Sequence, residues 1–156
     1  MNAKIYSWYN ALATMILTLL GFTSCDSITG EEPDMYGTPT TDFQLKGKVR
    51  ADDNAPIKGI KVVLSQDNWH RDSTYTDANG NYSMKGHMAS SPEWYLKEDA
   101  GFKLLLEDVD GDQNGGSFAN DTISGPEITS KKTAEGSGWN TGSYELTAPT
   151  KTLKKK

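Results

Sequence analysis

Two stretches of the chain place chemically useful side chains at a spacing that implies chemistry. From Asp110 it reads Asp-Gly-Asp-Gln-Asn-Gly-Gly-Ser-Phe-Ala-Asn-Asp, with oxygen-bearing side chains at loop positions one (Asp110), three (Asp112) and five (Asn114), glycine at six, and a carboxylate, Asp121, at twelve. Calcium takes about six to eight oxygens around a sharply turned backbone, and EF-hand loops supply them at this spacing. Three departures count against it: aspartate replaces glutamate at position twelve, Ser117 replaces an apolar residue at eight, and no amphipathic helices flank the loop. The other reading is a glycine-rich acidic surface loop between two strands, and the frequency of chance matches to short motifs favours it. No other cofactor is implied.

The second stretch is Gly21-Phe22-Thr23-Ser24-Cys25, which reads as a lipoprotein processing site. Small side chains at Thr23 and Ser24 let an extended backbone enter a signal peptidase, although Phe22 stands where many such sites carry leucine. Upstream, Met1–Asn10 carries one positive charge, Lys4, and no acid, and an apolar run from Ala11 to Phe22 has the length of a signal-peptide core, short of the roughly 20 residues of a membrane span. Cys25 is the only cysteine, so an exported chain has no internal disulfide, and lipidation gives the thiol a role. Each buried methylene of an acyl chain contributes about 0.8 kcal/mol, so several palmitate-like chains on the new amino terminus would hold the protein on a membrane. The alternative is an uncleaved anchor helix ending in a buried cysteine.

Other constellations are weaker. His70 and His87 have no cysteine or acid at metal-ligand spacing and read as surface loop histidines. The chain holds no Gly-x-Ser-x-Gly elbow and no phosphate-cradling loop, and lipidation leaves no thiol for nucleophilic work. Its 21 acids could form a carboxylate pair, but the sequence does not show which are close. Trp69, Trp94, Tyr95 and Trp139 could stack on sugars, although core filling is the more economical role in a small domain poor in leucine and isoleucine.

The elements that must position these residues read as strands. The chain has 156 residues and a net charge of −5; without residues 1–24 it keeps 15 basic against 21 acidic residues, which argues against unaided nucleic-acid binding. Residues 25–41 are polar and acidic and read as a tether. Residues 42–150 read as one β domain, and 151–156 as a frayed, solvated basic tail. Phe43, Leu45, Gly47 and Val49 alternate with polar residues, as do Ile60, Val62 and Leu64. A third, polar strand covers Arg71–Thr76, and Asn79-Gly80 signals a tight hairpin into a fourth strand carrying Tyr82 and Met84. Phe102–Leu106 reads as a central strand buried on both faces. Ser143–Ala148 reads as a closing strand, and Ile128, Trp139, Tyr144, Leu146 and Leu153 are further core candidates.

The order Gly47-x-Val49, Pro56-Ile57-x-Gly59-Ile60-x-Val62, Thr76-Asp77-x-Asn79-Gly80-x-Tyr82 resembles the carboxypeptidase regulatory-like domain, a small Ig-like or transthyretin-like β-sandwich. That resemblance implies an all-β accessory module with no catalytic residues. Tyr36-Gly37-Thr38-Pro39-Thr40, the turn before Tyr82, Asp108-Val109-Asp110-Gly111 and Asn114-Gly115-Gly116 are similar to a radical SAM-associated lipoprotein family, which implies a radical SAM enzyme as a partner or modifier. Glu31, Glu32 and Asp34 are similar to acidic export signals of surface lipoproteins in some Gram-negative anaerobes, though further from the cysteine than usual; a solvated linker accounts for them equally. The expectation is a lipid-anchored, non-catalytic interaction module of the Gram-negative cell envelope, at the outer membrane or cell surface. The alternatives are a calcium-stabilised glycan-binding lipoprotein and a substrate or partner of a radical SAM enzyme.

Overall fold

The computed structural model describes residues 8, 9, 11–16, 38–66 and 69–156, without the side chains of 69–71. Cys25, Glu31, Glu32 and Asp34 lie outside the described residues. The chain divides into two compact units, Met1–Tyr36 and Gly37–Lys156. In the first, residues 8, 9 and 11–16 are helical with exposed apolar side chains. Among the described residues no helix is long and apolar enough to cross a membrane.

The second unit is an all-β sandwich. Its described strands are β1 (Thr40–Ala51), β2 (Lys61–Gln66), β3 (Trp69–Tyr75), β4 (Asn81–Met88), β5 (Phe102–Glu107), β6 (Asp121–Ser124), β7 (Thr129–Ser137), β8 (Asn140–Thr147) and β9 (Lys151–Leu153), with a short helix α1 (Pro92–Tyr95) between β4 and β5. One sheet has the order β4-β1-β8-β7, with β9 also paired to β1; the other has the order β3-β2-β5-β6. Phe43, Leu45, Tyr82, Met84 and Leu146 from the first sheet meet Val62, Leu64, Phe102, Leu104, Leu106 and Ile123 from the second in one buried core. The alternation along β1, β4 and β5 puts every second side chain there.

Two of the four connections that cross between the sheets among the described strands, β1 to β2 and β3 to β4, are tied together by one buried hydroxyl. Thr76 is 3% exposed; its Oγ1 donates to the Ile57 carbonyl (2.7 Å) and accepts from the Ile60 amide (3.0 Å). Its main chain adds Thr76 N–H to Ile60 O and Gly59 N–H to Thr76 O, both 3.0 Å. The next residue shapes the crossing to β4, because Asp77 Oδ1 accepts from the amides of Asn79 (2.8 Å) and Asn81 (2.9 Å). The bond from Asn81 is the main reason the Asp77 carboxyl lies below the usual carboxylate range. Gly80 then takes φ +72° and lies against β1, where its carbonyl accepts from Val49 N–H at 2.8 Å and a Cβ would overlap the Val49 carbonyl.

The Asn79-Gly80 turn is therefore not the hairpin the sequence predicts. Strand β4 pairs with β1, and the turn carries the chain from one sheet to the other. Gly47 pairs with Tyr82 in this ladder, and the Tyr82 ring occupies the space a Gly47 side chain would need. The Tyr82 hydroxyl has no hydrogen-bond partner among the described residues, and burial pushes its pKa up. Thus the spaced residues of the transthyretin-like pattern have local packing roles.

Other expectations are corrected at the edges. Strand β1 starts at Thr40, inside the expected tether, and Thr41 is fully buried with its hydroxyl 2.5 Å from that of Thr141. Residues 151–156 are not a frayed tail: β9 runs parallel to β1, Leu153 is 1% exposed, and Lys155 bridges to Phe118. Strand β5 is interior to its sheet, but only Phe102, Leu104 and Leu106 are buried, while Leu105 is half-buried on the other face. Strand β7 was not legible in the sequence, since Thr-Ser-Lys-Lys-Thr-Ala-Glu-Gly-Ser is exposed along nearly its whole length and is held by its ladder to β8.

Thr76→Val should destabilise the protein by about 1–3 kcal/mol, because it leaves the Ile60 amide and Ile57 carbonyl short of a buried partner. Thr76→Ser keeps the hydroxyl and should cost clearly less. Urea unfolding at unchanged m-value checks both, and equal stability of Thr76→Val and wild type would contradict the assignment.

Candidate functional site

The acidic loop between β5 and β6 is organised by Asp108 rather than by the residues the calcium spacing singles out. Asp108 Oδ2 accepts from Phe118 N–H (2.6 Å), its Oδ1 accepts from Asp110 N–H (3.4 Å), and its own amide donates to Asn120 Oδ1 (3.3 Å). Partial burial works to raise the Asp108 carboxyl, but the bonds from Phe118 and Asp110, with the charge of Lys156, outweigh it and bring it below the ordinary range. Phe118, 2% exposed, anchors the loop to the core. The C-terminal segment closes over it through Ala119 N–H to Lys154 O (2.8 Å) and Lys156 N–H to Ser117 O (3.0 Å). The sequence signal for this role is Phe118, the one aromatic in the largely polar, glycine-rich stretch that follows Asp108.

The calcium-spaced residues are partly brought together. Asn114 Nδ2 donates to Asp110 Oδ2. Asp121 instead opens β6, pairs with Leu106 across the ladder and lies 3.3 Å from Lys151 Nζ. Asp112 lies in the turn between them. Among the described residues no group of three or more histidine, cysteine or acidic side chains is placed to hold a metal ion.

A second locus lies where β3 and β4, one outer strand of each sheet, flank a cavity of about 300 Å³. Phe43 from β1, Leu64 and Gln66 from β2, Met88 from β4, Tyr95 from α1 and Phe102 from β5 line its interior, and Asp72, Lys85 and His87 stand at its border. Helix α1 is short, opened by Pro92 and carrying Tyr95 into the core, where its ring lies 6.3 Å from that of Phe102. The Tyr95 hydroxyl accepts from Ala89 N–H at 3.3 Å, which ties the segment after β4 to the helix.

On the outer face of the first sheet, His87 Nδ1 and Asp42 Oδ1 are 2.5 Å apart, and Asn140 Nδ2 donates to Asp42 Oδ2 at 2.9 Å. The bond from Asn140, followed by that from His87, holds the Asp42 carboxyl below its usual range. His87 therefore belongs to a strand rather than a loop, with its side chain 76% exposed. His70 lies in β3 with its side chain outside the described residues, as does that of Trp69. Of the other aromatic candidates, Tyr95 is buried, whereas Trp94 and Trp139 are 52% and 43% exposed and do not fill the core.

No family model matches the chain, and no curated protein matches it. Among solved structures it is similar to 3-chlorocatechol 1,2-dioxygenase from Rhodococcus opacus 1CP, with a TM-score of 0.46 and 16% identity over 79% of this chain and 62% of that one. It is also similar to catechol 1,2-dioxygenase from Pseudomonas arvilla C-1, with a TM-score of 0.43 and 15% identity over 96% of this chain and 69% of that one. The chain spans less than two thirds of the first of these proteins, and likeness at this level bears on neither activity nor ligand.

With Asp121 paired to Lys151 and Asp110 bonded to Asn114, millimolar calcium should leave the melting temperature unchanged. A calcium-dependent rise of several degrees that disappears in Asp110→Asn would contradict this placement of the four residues.

Proposed function

We propose that the chain is a lipid-anchored, extracytoplasmic interaction module without catalytic activity of its own, held by Cys25 at the outer membrane or surface of a Gram-negative cell. The observation that carries the reading is the order of its parts: the processing-site sequence ending at Cys25 precedes a compact β-sandwich unit that starts at Gly37. Lipidation gives the single cysteine a purpose, and a rigid sandwich is a suitable body to present surfaces from a membrane. A second reading, a glycan as the ligand, is favoured by the exposed indoles of Trp94 and Trp139, because flat aromatic faces can stack on the apolar faces of sugars.

Metabolic labelling with a clickable fatty acid should mark the wild-type protein and fail with Cys25→Ala, which should also leave the membrane fraction. Labelling of the variant would defeat the anchor assignment. Intact mass of the labelled protein registers any further modification, as the resemblance to radical SAM-associated lipoproteins implies.

A further inference from the structure

Five of the described strands pair on one side only, and four of them are blunted against further pairing. β6 and β9 have four and three residues. The register of β7 shifts between Lys132 and Ala134, and that of β3 shifts where it passes Leu64 and Ser65. Shortness and bulges of this kind protect a sheet edge from added strands. β4 has neither: its eight residues pair with β1 in one unbroken register, from Thr41 opposite Met88 to Lys48 opposite Asn81.

The direction of its free main-chain groups follows from the bonds of β1. Thr40 N–H donates to Trp139 O and Lys46 O accepts from Ala148 N–H, so the even-numbered residues of β1 bond toward β8. Val49 N–H donates to Gly80 O, so the odd-numbered ones bond toward β4, where they face Tyr82, Met84, Gly86 and Met88. The N–H and C=O groups of Ser83, Lys85 and His87 therefore point away from β1, and among the described residues nothing pairs with them. They offer three donors and three acceptors at a repeat of about 6.8 Å, which another extended chain matches. The space beside them is open, since all of β4 except Met84 lines hollows of about 300 and 480 Å³ that β3 borders on the other side.

We propose that the free edge of β4 docks an extended segment of a partner protein as an added strand of the first sheet, with an acidic side chain of that segment opposite Lys85. On the outer face His87 is paired with Asp42 and Lys46 with Glu145, whereas Lys85 stands across from Gln44 and has no ion pair among the described residues. An acid on the added strand supplies it. A second copy of the chain fits less well: the antiparallel self-pairing that uses all three residues sets Lys85 directly against Lys85, and like charges so placed repel. The inference rests on the interaction-module reading, to which it gives a surface, and is independent of the anchor at Cys25.

The test pans a random linear peptide library displayed on phage against the full chain in nanodiscs, after depletion on empty nanodiscs. Enriched peptides are synthesised, their affinities measured, and their positions located by amide hydrogen exchange. They should carry Asp or Glu within a β-branched stretch and slow exchange of the Ser83, Lys85 and His87 amides. Lys85→Glu should weaken them at least about fivefold and shift the selection to peptides with Lys or Arg. Lys85→Pro removes an outward N–H and no bond to β1, so it should abolish binding while the Leu104 and Leu146 amides stay protected. Should Lys85→Pro not fold, Lys85→Glu decides alone. Protection of other amides, affinity unchanged in Lys85→Glu, or no enriched peptide overturns the proposal. Peptides bound elsewhere on the sandwich overturn it while the interaction-module reading stands, whereas the absence of any peptide ligand counts against both.

Discussion

The hydroxyl of Thr76 stands where two of the four crossings between the sheets meet, and the placement of β2 and β4 against β1 follows from what it holds. Through Ile57 and Ile60 it fixes the segment that enters β2, and through its own main chain it fixes the end of β3. Asp77 and Gly80 then steer the chain into β4 and onto Val49 of β1. Buried hydrogen bonds of this kind contribute modestly when made but cost much when one partner is missing. Their effect is to fix one arrangement of the crossings, so that the alternating faces of β1, β4, β2 and β5 meet as a single core.

Strand β1 is the shared member of that arrangement. It pairs with β4 on one side and, on the other, with β8 along its first half and β9 along its second, both parallel to it. The closing segment thereby reaches the loop between β5 and β6, where Lys154 and Lys156 bond to Ala119 and Ser117. A loop with three glycines, Gly111, Gly115 and Gly116, is in this way held by Asp108, Phe118 and the C-terminal residues. The same architecture leaves β3 and β4 as outer strands, with the cavity between the sheets beside them.

Much of the fold was legible because apolar alternation reports burial directly. The stretches around Phe43–Val49, Ile60–Leu64 and Phe102–Leu106 contribute their alternating residues to the core as that pattern requires. What was not legible depends on partners distant in sequence. A tight-turn dipeptide looks the same whether its flanking strands pair with each other or part into different sheets, so Asn79-Gly80 suggested a hairpin. Strand β7 has no apolar period because both its faces meet solvent, and the terminal lysines concealed Leu153, whose burial depends on β1. The candidate site was less legible still: Gln66, Tyr95 and Phe43 are ordinary strand and helix residues until the two sheets bring them together. The calcium spacing, by contrast, is a local pattern that the ladder divides, placing Asp121 in β6.

Native-state hydrogen exchange tests the Thr76 crossing most directly, because it reads each hydrogen bond separately. The amides of Gly59, Ile60 and Thr76 should exchange only through global unfolding, in the same slow class as the Leu104 and Leu146 amides. Exchange of those three amides as fast as that of the exposed Asp112–Gly115 turn would contradict the account.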